Sequence, residues 1–242
     1  MTDWNAEVAR IRELRVQRTR IGPGERPAVV VVDYQRAFTE HEHIGRTTAV
    51  ALQHTSELLR AARAAAVPVV YLVMVLDSLD DRMLAQRVRS SLTERCERGN
   101  PWTQISPVVA AQPGDHVVEK TVASGFHRTE LDALLTELRI DELVVAGTST
   151  SGCVRATVVD AAYRDLRVSV VEECCDDFRP LSGEVALWDM QDRFADVVTL
   201  DEQLQRFAAL RAERAAGPGG VPAGELAGEP TERSRERGAV RA

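Results

Sequence analysis

Asp33, Lys120 and Cys153 lie far apart in the chain, yet together they are the residue types that can break a carbonyl–nitrogen bond. A thiol supplies the nucleophile, a carboxylate can take and return its proton, and an amine can hold that carboxylate ionised. Each stands where a strand-like run ends. Asp33 closes the apolar run Ala28–Val32, and Lys120 closes Val117–Glu119. Cys153 closes the turn Gly147-Thr-Ser-Thr-Ser-Gly-Cys that follows Leu143–Val145. In an open parallel sheet the carboxyl ends of the strands share one crevice, so the three side chains are expected to meet there. The turn runs into a helix-like stretch, Val154–Tyr163, which predicts free helix N–H groups and a positive dipole end beside the sulfur. Both would lower the thiol pKa and serve a developing oxyanion. Singly, each residue has a plainer reading: Cys153 as a small buried hydrophobe, Asp33 as the start of a loop, Lys120 as a solvated surface group. The glycine-containing turn alone would equally suit a phosphate.

Positioning these residues requires alternating strands and helices. The apolar runs Ala28–Val32 and Pro68–Leu76 read as buried strands, as do Val117–Lys120 and the segments around Val144 and Val168. Helices are expected over Val50–Ala66, Thr129–Leu138, Leu187–Phe194 and Leu204–Leu210, the last two around a short strand at Asp196–Thr199. Repeated strand-plus-helix units of this length predict an α/β fold: three Rossmann-like layers, a six-stranded parallel sheet with helices on both faces. Residues 1–26 form an extension with an arginine-rich helix over Trp4–Arg20, residues 27–214 the catalytic domain, and residues 215–242 a glycine- and proline-containing tail expected to be disordered.

Three motifs carry a resemblance: Asp33-Tyr-Gln-Arg-Ala-Phe-Thr39, Lys120-Thr-Val-Ala-Ser-Gly-Phe126 with Thr129 and Leu131, and Gly147-Thr-Ser-Thr-Ser-Gly-Cys-Val-Arg-Ala-Thr157 with Asp160-Ala161. Over roughly Arg26 to Leu210 the chain resembles the isochorismatase-like cysteine hydrolases, and within them the N-carbamoylsarcosine and maleamate amidohydrolases. The resemblance implies a triad of Asp33, Lys120 and Cys153. It also implies a cis peptide between Thr148 and Ser149, which turns the Ser149 N–H toward the oxyanion beside that of Cys153. It further implies homo-oligomers, dimers or tetramers. Tyr34 and Phe38 are candidates to line the pocket, and Trp102 to wall it. Phe126 is a further candidate, with holding the loop after Lys120 as its alternative. That branch continues after the next strand into Gly-Asp-Arg, whose arginine clamps a substrate carboxylate. Here the stretch reads Asp176-Asp177-Phe178-Arg179. The expected substrate is therefore neutral or cationic and rests on Phe178, unless Arg179 takes over the clamp.

Composition narrows the function further. Of the 242 residues 44% are hydrophobic, enough for a full core, and the net charge of −7 argues against a nucleic-acid surface. No run reaches a membrane span. Met1–Glu7 lacks the basic start and apolar stretch of a signal peptide, so the expected compartment is the cytoplasm. The four cysteines form neither a disulfide framework nor a zinc pattern, and Cys174 and Cys175 are expected as free thiols. No cofactor is expected. His41 and His43 lack a third ligand, and the Val75–Asp81 segment holds no histidine. The reading is a thiol-dependent hydrolase of a small amide, ureide or lactam acting through a thioester. Its alternatives are a non-catalytic binding module on the same fold and a vinyl ether hydrolase, which would need no thiol.

Overall fold

The structure, a computed structural model, describes residues 4–16, 19–40, 46–77 and 95–216. The predicted sheet is present. β1 (Pro27–Val32), β2 (Val69–Met74), β3 (His116–Lys120), β4 (Glu142–Thr148), β5 (Arg167–Asp176) and β6 (Asp196–Val198) pair in the order β3-β2-β1-β4-β5-β6. Every neighbouring pair is parallel. β1 sits in the middle because both of its faces are buried: a run of valines fits a strand covered on both sides. Val29 and Val31 face one core and Ala28, Val30 and Val32 the other.

The first core lies under α3 (Arg46–Ala64), through Leu52, Leu58, Leu59 and Ala62, and under α7 (Leu200–Ala216), through Phe207. The second lies under α4 (Leu131–Glu137), α5 (Arg155–Ala162) and α6 (Pro180–Arg193), through Leu135, Val158 and Met190. Both faces of the sheet are thus covered. A short helix, α2 (Arg36–Thr39), follows Asp33, and α1 (Trp4–Val16) packs on α6 of its own chain, where Arg12 pairs with Glu184.

Helix boundaries depart from expectation where capping decides them. α7 begins at Leu200, ahead of Leu204, because Thr199 and Glu202 form a capping box: the Glu202 carboxylate accepts the Thr199 N–H at 2.9 Å and the Thr199 hydroxyl accepts the Glu202 N–H at 3.2 Å. α6 starts at Pro180, well before Leu187, since proline suits a first helical turn. α7 also runs to Ala216, so the first residues of the expected tail are helical. The charged stretch Asp80–Ser91, the pair His41 and His43, and the rest of the tail lie outside the described residues.

One glycine sets the geometry of the sheet's carboxyl edge. Gly147 has φ 142°, and a Cβ there would stand 2.2 Å from the Val32 carbonyl oxygen. Only glycine lets β4 approach β1 so closely just where Asp33 and the nucleophile turn leave the sheet.

Candidate active site

β1, β3 and β4 deliver Asp33, Lys120 and Cys153 to one edge. Lys120 ends β3, two strands from β1 and so roughly 10 Å across the sheet. Its long side chain crosses the end of β2, and Nζ donates to Asp33 Oδ2 at 2.8 Å and to the Val122 carbonyl at 3.1 Å. Asp33 leaves β1 with φ 52°, a left-handed conformation that aspartate tolerates better than most residues. Both side chains are about 1% exposed. The second Asp33 oxygen, Oδ1, is buried with no hydrogen-bond partner of normal geometry among the described residues.

Burial pushes the Asp33 carboxyl above the usual carboxylate range, against the opposing pull of the Lys120 ammonium. Burial is the largest single influence on Lys120 and works against its charge, but Asp33 and Cys153 together hold the amine above its ordinary value. The Cys153 thiol is pushed up to about 12, first by burial and then by Asp33, with Lys120 pulling the other way. Burial and the Asp33 carboxylate thus oppose the lowering expected from the helix end. Cys153 sits inside a π-helical turn, Thr150–Val154, that precedes α5.

The Thr148–Ser149 peptide is cis in the structure. Gly152 and Val154 both donate their N–H groups to the Ser149 carbonyl, folding the turn back on itself. The Thr157 hydroxyl donates to the Cys153 carbonyl at 2.8 Å and accepts the Gly125 N–H at 3.1 Å. The nucleophile turn and the loop after Lys120 are therefore joined through one side chain.

The expected pocket residues divide into three groups. Phe38 and Trp102 pack against the small cluster of Ala37, Met74, Leu76 and Cys96 on which Cys153 also rests. They form an apolar wall beside the nucleophile, with the guanidinium groups of Arg36 and Arg95 over the Trp102 ring. Tyr34 and Phe126 are corrected to core residues. Tyr34 is 2% exposed, packs under α3, and donates its hydroxyl to the Cys174 carbonyl at 2.9 Å. Phe126 turns inward onto Leu131 and Leu135, because the loop is pulled down by Ser124, whose hydroxyl donates to Asp160. Phe178 and Arg179 are exposed and stack on each other at the end of β5, apart from the cluster that carries Cys153. The two acids before them are both buried and hydrogen-bonded. Asp176 accepts the Thr48 hydroxyl, and Asp177 accepts two backbone N–H groups.

Sequence reasoning missed Gln35 and gave Cys96 no part. Gln35 Nε2 donates to the Met74 carbonyl at 3.1 Å and Oε1 accepts the Met74 N–H at 2.7 Å, so a side chain extends the sheet pairing beyond the end of β1. Cys96 is fully buried next to it. Its thiol is pushed up to about 12 by burial and by Asp33. Gln35 lies within the Asp33–Thr39 motif, but its pairing with a strand distant in sequence could not be read from it. Cys174 and Cys175 are free thiols. Among the described residues no three His, Cys, Asp or Glu side chains converge as metal ligands, and no helix is long and apolar enough to cross a membrane.

A cavity of about 810 Å³ lies between α1, α3, the end of β5 and α6, bordered by Arg12, His54, Thr150, Asp177 and Glu184. Asp33, Lys120 and Cys153 do not line it.

Residues 27–202 match the isochorismatase domain family. The chain belongs to the isochorismatase family. Among its relatives, N-carbamoylsarcosine amidase of Arthrobacter sp. is 34% identical over 199 residues, covering 79% of this chain and 75% of that protein. Maleamate amidohydrolase of Pseudomonas putida is 32% identical over 210 residues, covering 85% and 98%. The crystal structure of a cysteine hydrolase from Pseudomonas syringae pv. phaseolicola superposes with a TM-score of 0.75 at 26% identity, over 80% of this chain and 99% of that one. The protein is an isochorismatase-family hydrolase.

Proposed function

We propose that this protein is a cysteine-dependent amidohydrolase that cleaves a C–N bond of a small amide, ureide or lactam. The observation that carries this reading is the buried Lys120–Asp33 pair at 2.8 Å, with the second Asp33 oxygen unpaired and Cys153 coupled to both groups. The names of two relatives, an amidase and an amidohydrolase, point to the same bond type.

A thiol pushed up to about 12 rests in its neutral form. Attack therefore couples two events: a bond forms between Sγ and the carbonyl carbon while the thiol proton passes to Asp33. The carbonyl π electrons move onto oxygen, which the N–H groups of Ser149 and Cys153 stabilise. Collapse of this intermediate breaks the C–N bond as Asp33 returns the proton to the departing nitrogen, since an amine leaves poorly unprotonated. A thioester remains. Water then attacks it, Asp33 takes the water's proton, the C–S bond breaks, and sulfur regains a proton from Asp33. Lys120 keeps Asp33 anionic between these transfers, and the raised basicity that burial gives the carboxyl suits it to accept from a thiol. Phe38 and Trp102 exclude water from the side of the attack.

A panel of small amides, ureides and lactams, assayed for ammonia or amine release with the parent enzyme and with Cys153→Ala, tests the reading. Release from at least one member by the parent, and none by the variant, is expected. Release by Cys153→Ala at a comparable rate would contradict it.

A further inference from the structure

Asp177, just beyond the end of β5, is a second buried carboxylate beside the nucleophile turn, 5% exposed. Its Oδ2 accepts the Ser151 N–H at 2.7 Å and its Oδ1 accepts the Arg179 N–H at 2.9 Å. α6 closes directly over this contact. A Cβ added at Gly183 would stand 3.0 Å from the Asp177 Cβ and 3.8 Å from the Thr150 Cβ. Ser151 lies midway between Ser149 and Cys153, the two N–H donors assigned to the oxyanion. The turn is made of small residues, Thr148-Ser-Thr-Ser-Gly152, and the Gly152 and Val154 bonds that fold it are made to its own Ser149 carbonyl. Outside these bonds, the Thr157 hydroxyl holds the Cys153 carbonyl at one end of the turn. The Asp177 carboxylate supplies an anchor from outside it, through a charge-assisted bond that is among the stronger kinds.

We propose that Asp177 is a positioning residue for the oxyanion site: by holding the Ser151 N–H it aims the neighbouring donors of Ser149 and Cys153. The inference rests on the cysteine-hydrolase reading above. Asparagine is an imperfect substitute, because it keeps one acceptor oxygen but presents an NH₂ group to the second N–H. Asp177→Asn should therefore hold the turn in part and Asp177→Ala not at all.

The test compares three readouts on the full-length protein: turnover of an amide that the parent hydrolyses, the rate at which iodoacetamide alkylates Cys153, and protection of Cys153 from that alkylation by butyraldehyde. Butyraldehyde adds to the thiol by forming an S–C bond as its C=O π bond opens onto oxygen, which takes up the thiol proton, so it calls on the oxyanion donors. Iodoacetamide displaces iodide at a saturated carbon and does not. For Asp177→Ala, kcat should fall roughly 10- to 100-fold, the cost of a donor displaced by about an ångström. KM should change by less than about threefold, aldehyde protection should weaken by a factor similar to that in kcat, and alkylation should stay within about twofold. Asp177→Asn should lie between the two. Unchanged kcat and protection would overturn the proposal. So would an alkylation rate that falls with kcat, since Asp177 would then be supporting the whole triad. Should Asp177→Ala fail to fold, Gly183→Ala, which crowds Asp177 without removing its carboxylate, must show the same split between protection and alkylation. Turnover by Cys153→Ala would instead strike at the nucleophile assignment and leave the anchoring of Ser151 to be judged by its own readouts.

Discussion

Asp33 at the end of β1 and Asp177 just past the end of β5 are both buried carboxylates, and they differ in what the second oxygen does. Asp177 gives one oxygen to the Ser151 N–H and the other to the Arg179 N–H. Asp33 gives one oxygen to Lys120 and leaves the other buried without a well-formed bond. A buried polar atom without a partner is costly, on the order of 1–3 kcal/mol, and folded proteins retain few of them. The contrast teaches where to look for chemistry. The satisfied carboxylate holds backbone in place, and under the proposed mechanism the other is the one that takes a proton.

The largest expected effect comes from the thiol that Asp33 serves. Cys153→Ser should lower kcat by at least about 10³-fold, because a hydroxyl is far harder to ionise than a thiol and the site does not help it ionise beforehand. Lys120→Met should cost a similar factor in steady-state assays, and the double variant should be little worse than either single one, as for residues acting as a unit. Losses that multiply would show that the two residues act independently. Next in size is a pH effect. With the thiol pushed up to about 12, the thiolate fraction at neutral pH is small, and it grows as pH rises. The iodoacetamide rate at Cys153 should therefore climb roughly tenfold per unit between about pH 7 and 10. A plateau already reached near pH 7 would mean that the helix end wins over burial.

Smaller effects should mark residues outside the pair. Tyr34→Phe should lower stability by about 1 kcal/mol, read from denaturant midpoints, since a buried hydroxyl bond is lost while Thr55 still approaches the Cys174 carbonyl. Its kcat should stay within about twofold. Arg179→Ala should have the least effect, less than about threefold in KM, because the side chain is exposed and rests on Phe178. A large KM increase confined to acidic substrates would show that Arg179 folds over bound substrate as a carboxylate clamp.

The meeting of Asp33, Lys120 and Cys153 was legible in the sequence because strand ends leave a clear trace. Unbroken apolar runs stop at Asp33 and Lys120, and a glycine-bearing turn stops at Cys153, so parallel pairing alone brings the three to one edge. The six-stranded sheet was legible for the same reason. What stayed hidden was side-chain direction past a strand end. Tyr34 and Phe38 are both aromatic residues following Asp33, yet one is buried under α3 and the other walls the nucleophile. Sequence proximity to Asp33 cannot separate them, because the left-handed Asp33 backbone resets which face each later residue takes. The burial that opposes the helix end at Cys153 was hidden too, since a helix start is visible in sequence and desolvation is not. The two roles of Asp176 and Asp177 were equally invisible, since each depends on a distant donor, Thr48 and Ser151.

The central claim is that the unpaired oxygen of Asp33 carries the proton between Cys153 and the departing nitrogen. The kcat of Asp33→Asn on the same amide tests it most directly, with a melting curve to show that the fold survives. Asparagine keeps the shape and can still accept the Lys120 hydrogen bond, but it has no basic oxygen to take a proton. The account predicts a fall of at least about 10³-fold with the melting transition intact; a kcat within tenfold of the parent would contradict it.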